Sequence, residues 1–331
     1  MNFNLIRFIQ AAVSNGAPLL FGTSGEILTE KSGNLNLGVE GLMFMGGAFG
    51  LAGVYYYDKA AGDSVSVVTA TIIALLCAFA AGCLGSLIYS FLTISLRANQ
   101  NVTGLALTIF GTGVGQFVGE YMRTTSAGSG GFISVSNTLK EGFIASPFPK
   151  AMQGIPVIGP LLFSHNFFVY LGIAIALFLS WFMGKTRKGL YLRAVGESPA
   201  TADAAGISVE KYKYLATVIG GGISAIGGVV YTMTIAGTVW MRDGLSGEGW
   251  IAVALVIFCL WRPINAIWGS VLFGGLMLLY LWLPVPFIPS QIYKVVQYMV
   301  TTVVLIIVSM RQKRENQPPA SLGSAYFREE R

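Results

Sequence analysis

Charge is scarce in this chain. Asp, Glu, Lys and Arg make up 11% of its 331 residues, where soluble domains carry about 25%. The shortage excludes a water-soluble globule. No polar stretch is long enough to fold independently, so one membrane domain is expected. Histidine occurs once, as His165 in a polar loop. That leaves no Ser/His/Asp set, and no metal-ligating cluster stands out in the sequence. The three cysteines, Cys77, Cys83 and Cys259, fall in apolar segments without metal-ligand spacing. They argue against a disulfide framework and read as small buried side chains.

A phosphate-binding loop is missing too. Gly184-Lys185-Thr186 has the ending of one, but the motif's first glycine would fall on Leu179. No suitable helix is expected to follow it. The chain is therefore read as non-catalytic, with no cofactor or metal of its own; any ATP is hydrolysed on a separate subunit. The N-terminus lacks a cleavable signal pattern, since Arg7 is followed by a long apolar run without a small-residue cleavage site.

What is abundant is apolar. Hydrophobic residues are 54% of the chain, with 42 glycines, and the fold class follows: an all-α polytopic membrane protein. Spans need about 20 apolar residues. Candidates are 5–28, 37–57, 65–96, 102–122, 167–184, 214–237, 250–260, 264–283 and 292–310, about nine transmembrane helices. The 250–260 run is short, and 65–96 fits either one tilted helix or a tight pair. Net charge is +6, carried in a few loops and the tail, which points to topology rather than nucleic-acid binding.

Arg311, Lys313 and Arg314 end the last span, and Lys185, Arg187, Lys188 and Arg193 follow the fifth. The positive-inside rule places both cytoplasmic, and the four spans between them agree. Counting back puts Arg97 and Glu30-Lys31 inside and the N-terminus outside. The expected division is a transmembrane domain at 1–311, with a cytoplasmic segment at 185–213 and an extracytoplasmic cap or loop at 124–166. That loop holds Gly128-Ser129-Gly130-Gly131 and Pro147-Phe148-Pro149. A polar, flexible cytoplasmic tail is expected at 312–331.

Inside 185–213 a small helix has its ends written out. Ser198 suits the N-cap, Pro199 the first helical position, and Gly206 the left-handed stop. Ala200-Thr201-Ala202-Asp203-Ala204-Ala205 between them is nearly all small. Two turns are marginal alone, so the helix must lean on something. It is either a docking knob for a soluble partner or an ordinary interfacial helix.

Glu30-Lys31-Ser32-Gly33-Asn34-Leu35-Asn36-Leu37-Gly38-Val39-Glu40-Gly41 interrupts two apolar runs with glycines, asparagines and charges. It reads as a discontinuous helix near residues 30–41 lining a pore, or as a plain loop. Asn34, Asn36 and Glu40 are the candidate lining residues, joined by Asn101 and Thr103 at the start of the fourth span. Those last two suit capping equally well. Glu248 sits at a membrane boundary, where an ionisable group marks a functional site or a salt bridge to Arg242. Gly111-Thr112-Gly113-Val114-Gly115, Gly220-Gly221-Gly222 and Gly227-Gly228 read as close helix-packing surfaces.

Together these motifs resemble a known family. Glu30-Lys31-Ser32-Gly33 with Asn36-Leu37-Gly38-Val39-Glu40-Gly41 is similar to the signature of the smaller permease subunit of nucleoside ABC importers. Those importers work with a BMP-type substrate-binding protein. Arg193-Ala194-Val195-Gly196-Glu197-Ser198-Pro199 and Ala202-Asp203-Ala204-Ala205-Gly206-Ile207 resemble its cytoplasmic coupling segment. Gly247-Glu248-Gly249-Trp250-Ile251-Ala252 through Trp261-Arg262-Pro263 also fits. The resemblance covers about 11–309, and the wider group includes ribose and branched-chain amino acid permeases.

The resemblance implies a multi-pass subunit of the bacterial cytoplasmic membrane that moves nucleosides inward. Its partners would be an ABC ATPase subunit, a second, larger permease in a heterodimer, and the binding protein. Gly196, Glu197, Ser198, Pro199, Ala202, Asp203, Ala205 and Gly206 would carry the ATPase coupling. Asn34, Asn36, Glu40, Asn101, Thr103 and Glu248 would lie along the substrate pathway. A simple-sugar permease is the alternative, and a proton-coupled carrier using Glu40 or Glu248 a further one.

Overall fold

The computed structural model describes residues 4–125, 133, 135–242, 244–245, 247–282, 295–296, 298–300, 302–303, 306 and 317–328. The 292–310 run lies largely outside them. Arg311, Lys313, Arg314, Asp243 and the 128–131 glycine stretch lie wholly outside. The described residues build helices α1 (Leu5–Glu30), α2 (Val39–Ala61), α3 (Val67–Ser90) and α4 (Gln100–Thr125). After these come α5 (Asn137–Ile144), α6 (Lys150–Gln153), α7 (Phe167–Lys185), α8 (Arg187–Glu197) and α9 (Pro199–Ala204). The last are α10 (Val209–Val230), α11 (Glu248–Phe258) and α12 (Pro263–Trp282).

Five of these helices, counted with the π-turns that extend α3 and α10, are long and apolar enough to cross a bilayer. They are α3, α4, α7, α10 and α12. α1 and α2, at 26 and 23 residues, have the length as well but are wrapped by the others. The 65–96 run is one helix: α3 continues through the π-turn Phe91–Ser95 without a reversal. The 250–260 run is too short a helix to cross alone. α11 has 11 residues, about 16 Å of helix, roughly half a hydrocarbon core.

Glycine sets the inner packing. α10 runs through the centre against α1, α2 and α3, and its glycines let neighbouring backbones touch. Gly228 lies on the Met43 carbonyl of α2, and Gly220 on the Gly25 carbonyl of α1. The outer helices α3, α4, α7 and α12 turn large apolar side chains outward. Leu76, Leu84, Ile109, Phe117, Phe178 and Trp268 are all exposed, as a lipid-facing surface requires.

The bundle has two distinct ends. At one, residues 31–33 meet Gly196, Trp261 meets Glu30, and 317–328 touch Arg97, Gln100 and Asp203. The other end carries the segment between α4 and α7. There Ser136 N–H donates to Asp58 Oδ2 at 2.8 Å, and Ser14 lies 3.4 Å from His165 Nδ1. His165 is buried within that cap, 3.0 Å from the Leu161 carbonyl.

Two sequence expectations change at the first end. A helix does follow Thr186: the Thr186 hydroxyl accepts the Gly189 N–H at 3.0 Å and starts α8. The phosphate-loop reading still fails, because Leu179 lies inside α7. Composition predicts a flexible tail at 312–331, yet its described residues, 317–328, are docked. Backbone groups of Ser321 and Gly323 bond to α8 and to the loop after α1, which the polar composition of the tail does not reveal.

Candidate functional site

The chain between α1 and α2 turns back into the bundle. Residues 31–38 are not helical, and α2 resumes at Val39. A Cβ placed on Gly22 would lie 3.8 Å from Val39 Cγ1, so the return climbs about two turns alongside α1. Ser32, Asn34, Asn36 and Glu40 are all buried. Non-helical backbone at such depth needs protein partners for its polar groups.

Those partners come from four helices, α1, α3, α4 and α10. Gln100 Oε1 accepts the Leu35 N–H at 2.7 Å, and Glu26 Oε1 accepts the Asn36 N–H at 3.1 Å. The Tyr89 hydroxyl donates to the Leu35 carbonyl at 2.6 Å, and the Thr108 hydroxyl to the Leu37 carbonyl at 2.9 Å. Asn36 Oδ1 takes the Gly38 N–H at 2.9 Å, closing a tight turn. Asn34 Nδ2 donates to Thr217 Oγ1 on α10 at 2.8 Å. Gly33 takes φ +89°, which suits its lack of a Cβ.

α11 is held at both ends by carboxylates. Its N-terminus presents the Gly247 and Gly249 N–H groups to the two oxygens of Glu40, at 2.9 and 2.5 Å. A helix N-terminus favours such an anion. Past its C-terminus, Leu260 and Trp261 turn with φ +57° and +54°, and Trp261 Nε1 donates to Glu30 Oε2. Glu248, the first residue of α11, is buried at the N-terminal end beside Glu40. Its expected partner Arg242 instead faces Glu120, with Nε 3.9 Å from Oε1. Asn34 Oδ1, Asn36 Nδ2 and Glu248 Oε2 are buried with no hydrogen-bond partner among the described residues.

The structure thus brings Asn34, Asn36, Glu40 and Glu248 into one buried polar region and leaves Asn101 and Thr103 outside it. Asn101 is exposed on α4. Thr103 bonds to its own helix, donating to the Asn99 carbonyl at 2.8 Å. The neighbour that reaches inward is Gln100, one residue earlier. Glu26 was missed as well, though an acid four residues before Glu30 in an apolar run is itself a signal. Replacing Gln100 by alanine is expected to strand the half-buried Leu35 N–H, at a cost of about 1 kcal/mol. Thermal unfolding in detergent should show the loss, and Asn101→Ala should leave the midpoint unchanged.

A second group lies at the end near residues 31–33. Ser198 Oγ caps α9 by accepting the Thr201 N–H at 3.4 Å, and Gly206 closes it at φ +81°. Ala202 is buried against Val195 and Val209, whereas Ala200, Ala204, Ala205 and Gly206 are exposed. Gly196 is buried on the Lys31 carbonyl, and Asp203 accepts from the Tyr326 hydroxyl at 2.8 Å. The free face of α9 is therefore narrower than its alanine content implies. Burial lowers the pKa of Lys31 from its ordinary value, and Glu197 opposes the shift.

The chain matches known proteins over nearly its whole length. Residues 8–309 match the family described as branched-chain amino acid transport system, permease component. The guanosine ABC transporter permease protein NupQ of Bacillus subtilis is 34% identical over 268 residues, covering 80% of this chain and 79% of that one. The nucleoside ABC transporter permease protein NupC of Lactococcus lactis is 30% identical over 313 residues, 92% of this chain and 94% of that one. TsgC13 of Haloferax volcanii, named as a candidate glucose ABC transporter permease, is 33% identical over 80% of this chain and 74% of its own. This chain, with its multi-pass helical bundle, buried polar return and half-length α11, belongs to the branched-chain amino acid transport system permease family of ABC transporters.

Proposed function

We propose that this chain forms one half of the pore of an importer that carries nucleosides across the bacterial cytoplasmic membrane. One observation carries the reading. Asn34 Oδ1 and Asn36 Nδ2 are buried without described partners, in a chain whose relatives are named for guanosine and nucleosides. Nucleosides are polar and uncharged, so amide groups suit them better than a charged filter. Residues 31–38 act as the unwound part of a discontinuous helix, and α11 supplies the helix end that faces it. Glu40 and Glu248 belong to this region, Glu40 by holding α11 in place. Asn101 and Thr103 lie on the outer side of α4, where a second, larger permease would complete the pore as a heterodimer.

The end bearing Lys31, Arg97, Arg193 and Arg262 is the cytoplasmic one by the positive-inside rule. α9 there meets an ABC ATPase subunit, whose hydrolysis of ATP supplies the drive. Gly196, Glu197, Ser198 and Pro199 set its position, Ala202 packs it, and Ala205 and Gly206 face the partner. The cap between α4 and α7 lies outside, where a BMP-type binding protein delivers cargo.

The test is uptake by the complete complex in proteoliposomes, using a panel of labelled nucleosides with glucose alongside. ATP-dependent accumulation of a nucleoside is expected. Accumulation of glucose alone would favour the sugar alternative that the Haloferax relative represents. A companion variant, Ala205→Trp, adds bulk to the exposed face of α9. It is expected to weaken ATPase association about tenfold, read by copurification, while leaving membrane insertion intact.

A further inference from the structure

Residues 317–328 touch the 31–38 return, the start of α4 and both α8 and α9. The Ser321 N–H and hydroxyl both donate to the Gly196 carbonyl, at 3.1 and 2.6 Å. Gly196 is the next-to-last residue of α8, and its carbonyl is one that the helix cannot satisfy itself. Two residues on, the Gly323 N–H donates to the Gly33 carbonyl at 3.2 Å, within the buried return. Gln100 Nε2 donates to the Ser324 carbonyl at 3.4 Å. The same Gln100 side chain holds Leu35 through its oxygen. The Phe327 ring lies under the Arg97 guanidinium, 4.7 Å from its centre.

The segment then reaches α9 itself. The Tyr326 hydroxyl donates to Asp203 Oδ2 at 2.8 Å, and Arg328 Nε lies 3.2 Å from the same oxygen. The Tyr326 ring packs on Val195, Ala202 and Val209.

These contacts bridge a weak point. α8 and α9 are separated by Ser198, whose backbone is extended at φ −150° and ψ 93°. A six-residue helix beyond such a joint would swing when pushed, and the push would be lost before it reached the pore. The segment ties down both sides of the joint, through Gly196 on one and Asp203 on the other. It then joins both to Gly33 and to the start of α4.

We propose that residues 319–328 are a splint: they make α9, the end of α8, the 31–38 return and the start of α4 move as one body. Displacement of α9 by the ATPase then reaches Asn34 and Asn36 without loss. The proposal rests on the reading of α9 as the ATPase contact.

The test uses the complete importer in proteoliposomes, with nucleoside uptake and ATP turnover measured together. In the double variant Ser321→Ala with Tyr326→Ala, uptake per ATP is expected to fall about tenfold, a typical coupling magnitude. ATPase copurification and basal turnover should stay at the parent level. Tyr326→Phe keeps the ring and loses only the Asp203 bond, so a smaller fall is expected from a chain whose packing is intact. A second pair, Asp203→Cys with Tyr326→Cys, is oxidised to lock the segment to α9. The reduced pair lacks the Tyr326–Asp203 tie, so uptake per ATP is expected to be low before oxidation and to recover once the crosslink restores it.

Parent-level uptake per ATP in the double variant and in Tyr326→Phe would overturn the proposal. So would loss of uptake on oxidation that reduction restores, since the segment would then have to let go. If α9 is not the ATPase contact, Ala205→Trp leaves copurification unchanged, whatever the splint variants do. Failure of the splint alone leaves the Ala205→Trp effect in place.

Discussion

Replacing Gly228 with leucine is expected to remove nearly all folded protein. A Cβ at this position would overlap the Met43 carbonyl oxygen and carbon of α2. Overpacking costs about 1–3 kcal/mol where side chains can rearrange, but here the obstacle is the backbone of a packed helix. No rotamer change relieves it. α10 also packs on α1 and α3, so moving it away from α2 disturbs the whole interior. Monodisperse protein recovered in detergent should fall about tenfold or more. Gly113→Leu is the matched control, because nothing lies within 4 Å of its added carbon. Equal recovery of the two variants would refute the packing argument.

The second large effect is expected at Glu40. Its two oxygens take the Gly247 and Gly249 N–H groups, and alanine would leave both without their acceptor. Each buried donor left unpaired costs about 1–3 kcal/mol, and the N-terminus of α11 loses the anion that favours it. Transport by the complex should fall below detection, with a lower unfolding midpoint for the chain. Glu40→Gln keeps one acceptor and should fall between the two. Proton-coupled use of Glu40 would instead make uptake by this chain alone respond to a pH gradient, which is not expected.

The buried region was partly legible beforehand. Asn34 and Asn36 stand out because amides and glycines interrupt an apolar run, and the structure buries both. Asn101 and Thr103 carry the same chemistry but lie outside the region. On a helix, adjacent residues face about 100° apart. Composition at the start of α4 therefore cannot say whether Gln100 or Asn101 points inward. Glu26 was hidden for a different reason: its partner, the Asn36 N–H, lies ten residues on and across a reversal of the chain. α9 shows a similar split. Its caps at Ser198 and Gly206 were readable from local chemistry, whereas the burial of Ala202 depends on Val195 and Val209 coming together.

The sequence by itself determined the solvent, the helical class and the family. Scarcity of charge, long apolar runs and ordered motifs are properties of composition and local order, and folding does not alter them. Tertiary structure decided that 250–260 forms only a half-length helix, that Glu40 and Glu30 hold its two ends, and that 317–328 dock beneath the bundle. Each of these rests on hydrogen bonds or carbonyl contacts between residues far apart in the chain. Such contacts leave no periodic trace in the sequence, because either partner alone reads as an ordinary polar residue or an ordinary glycine.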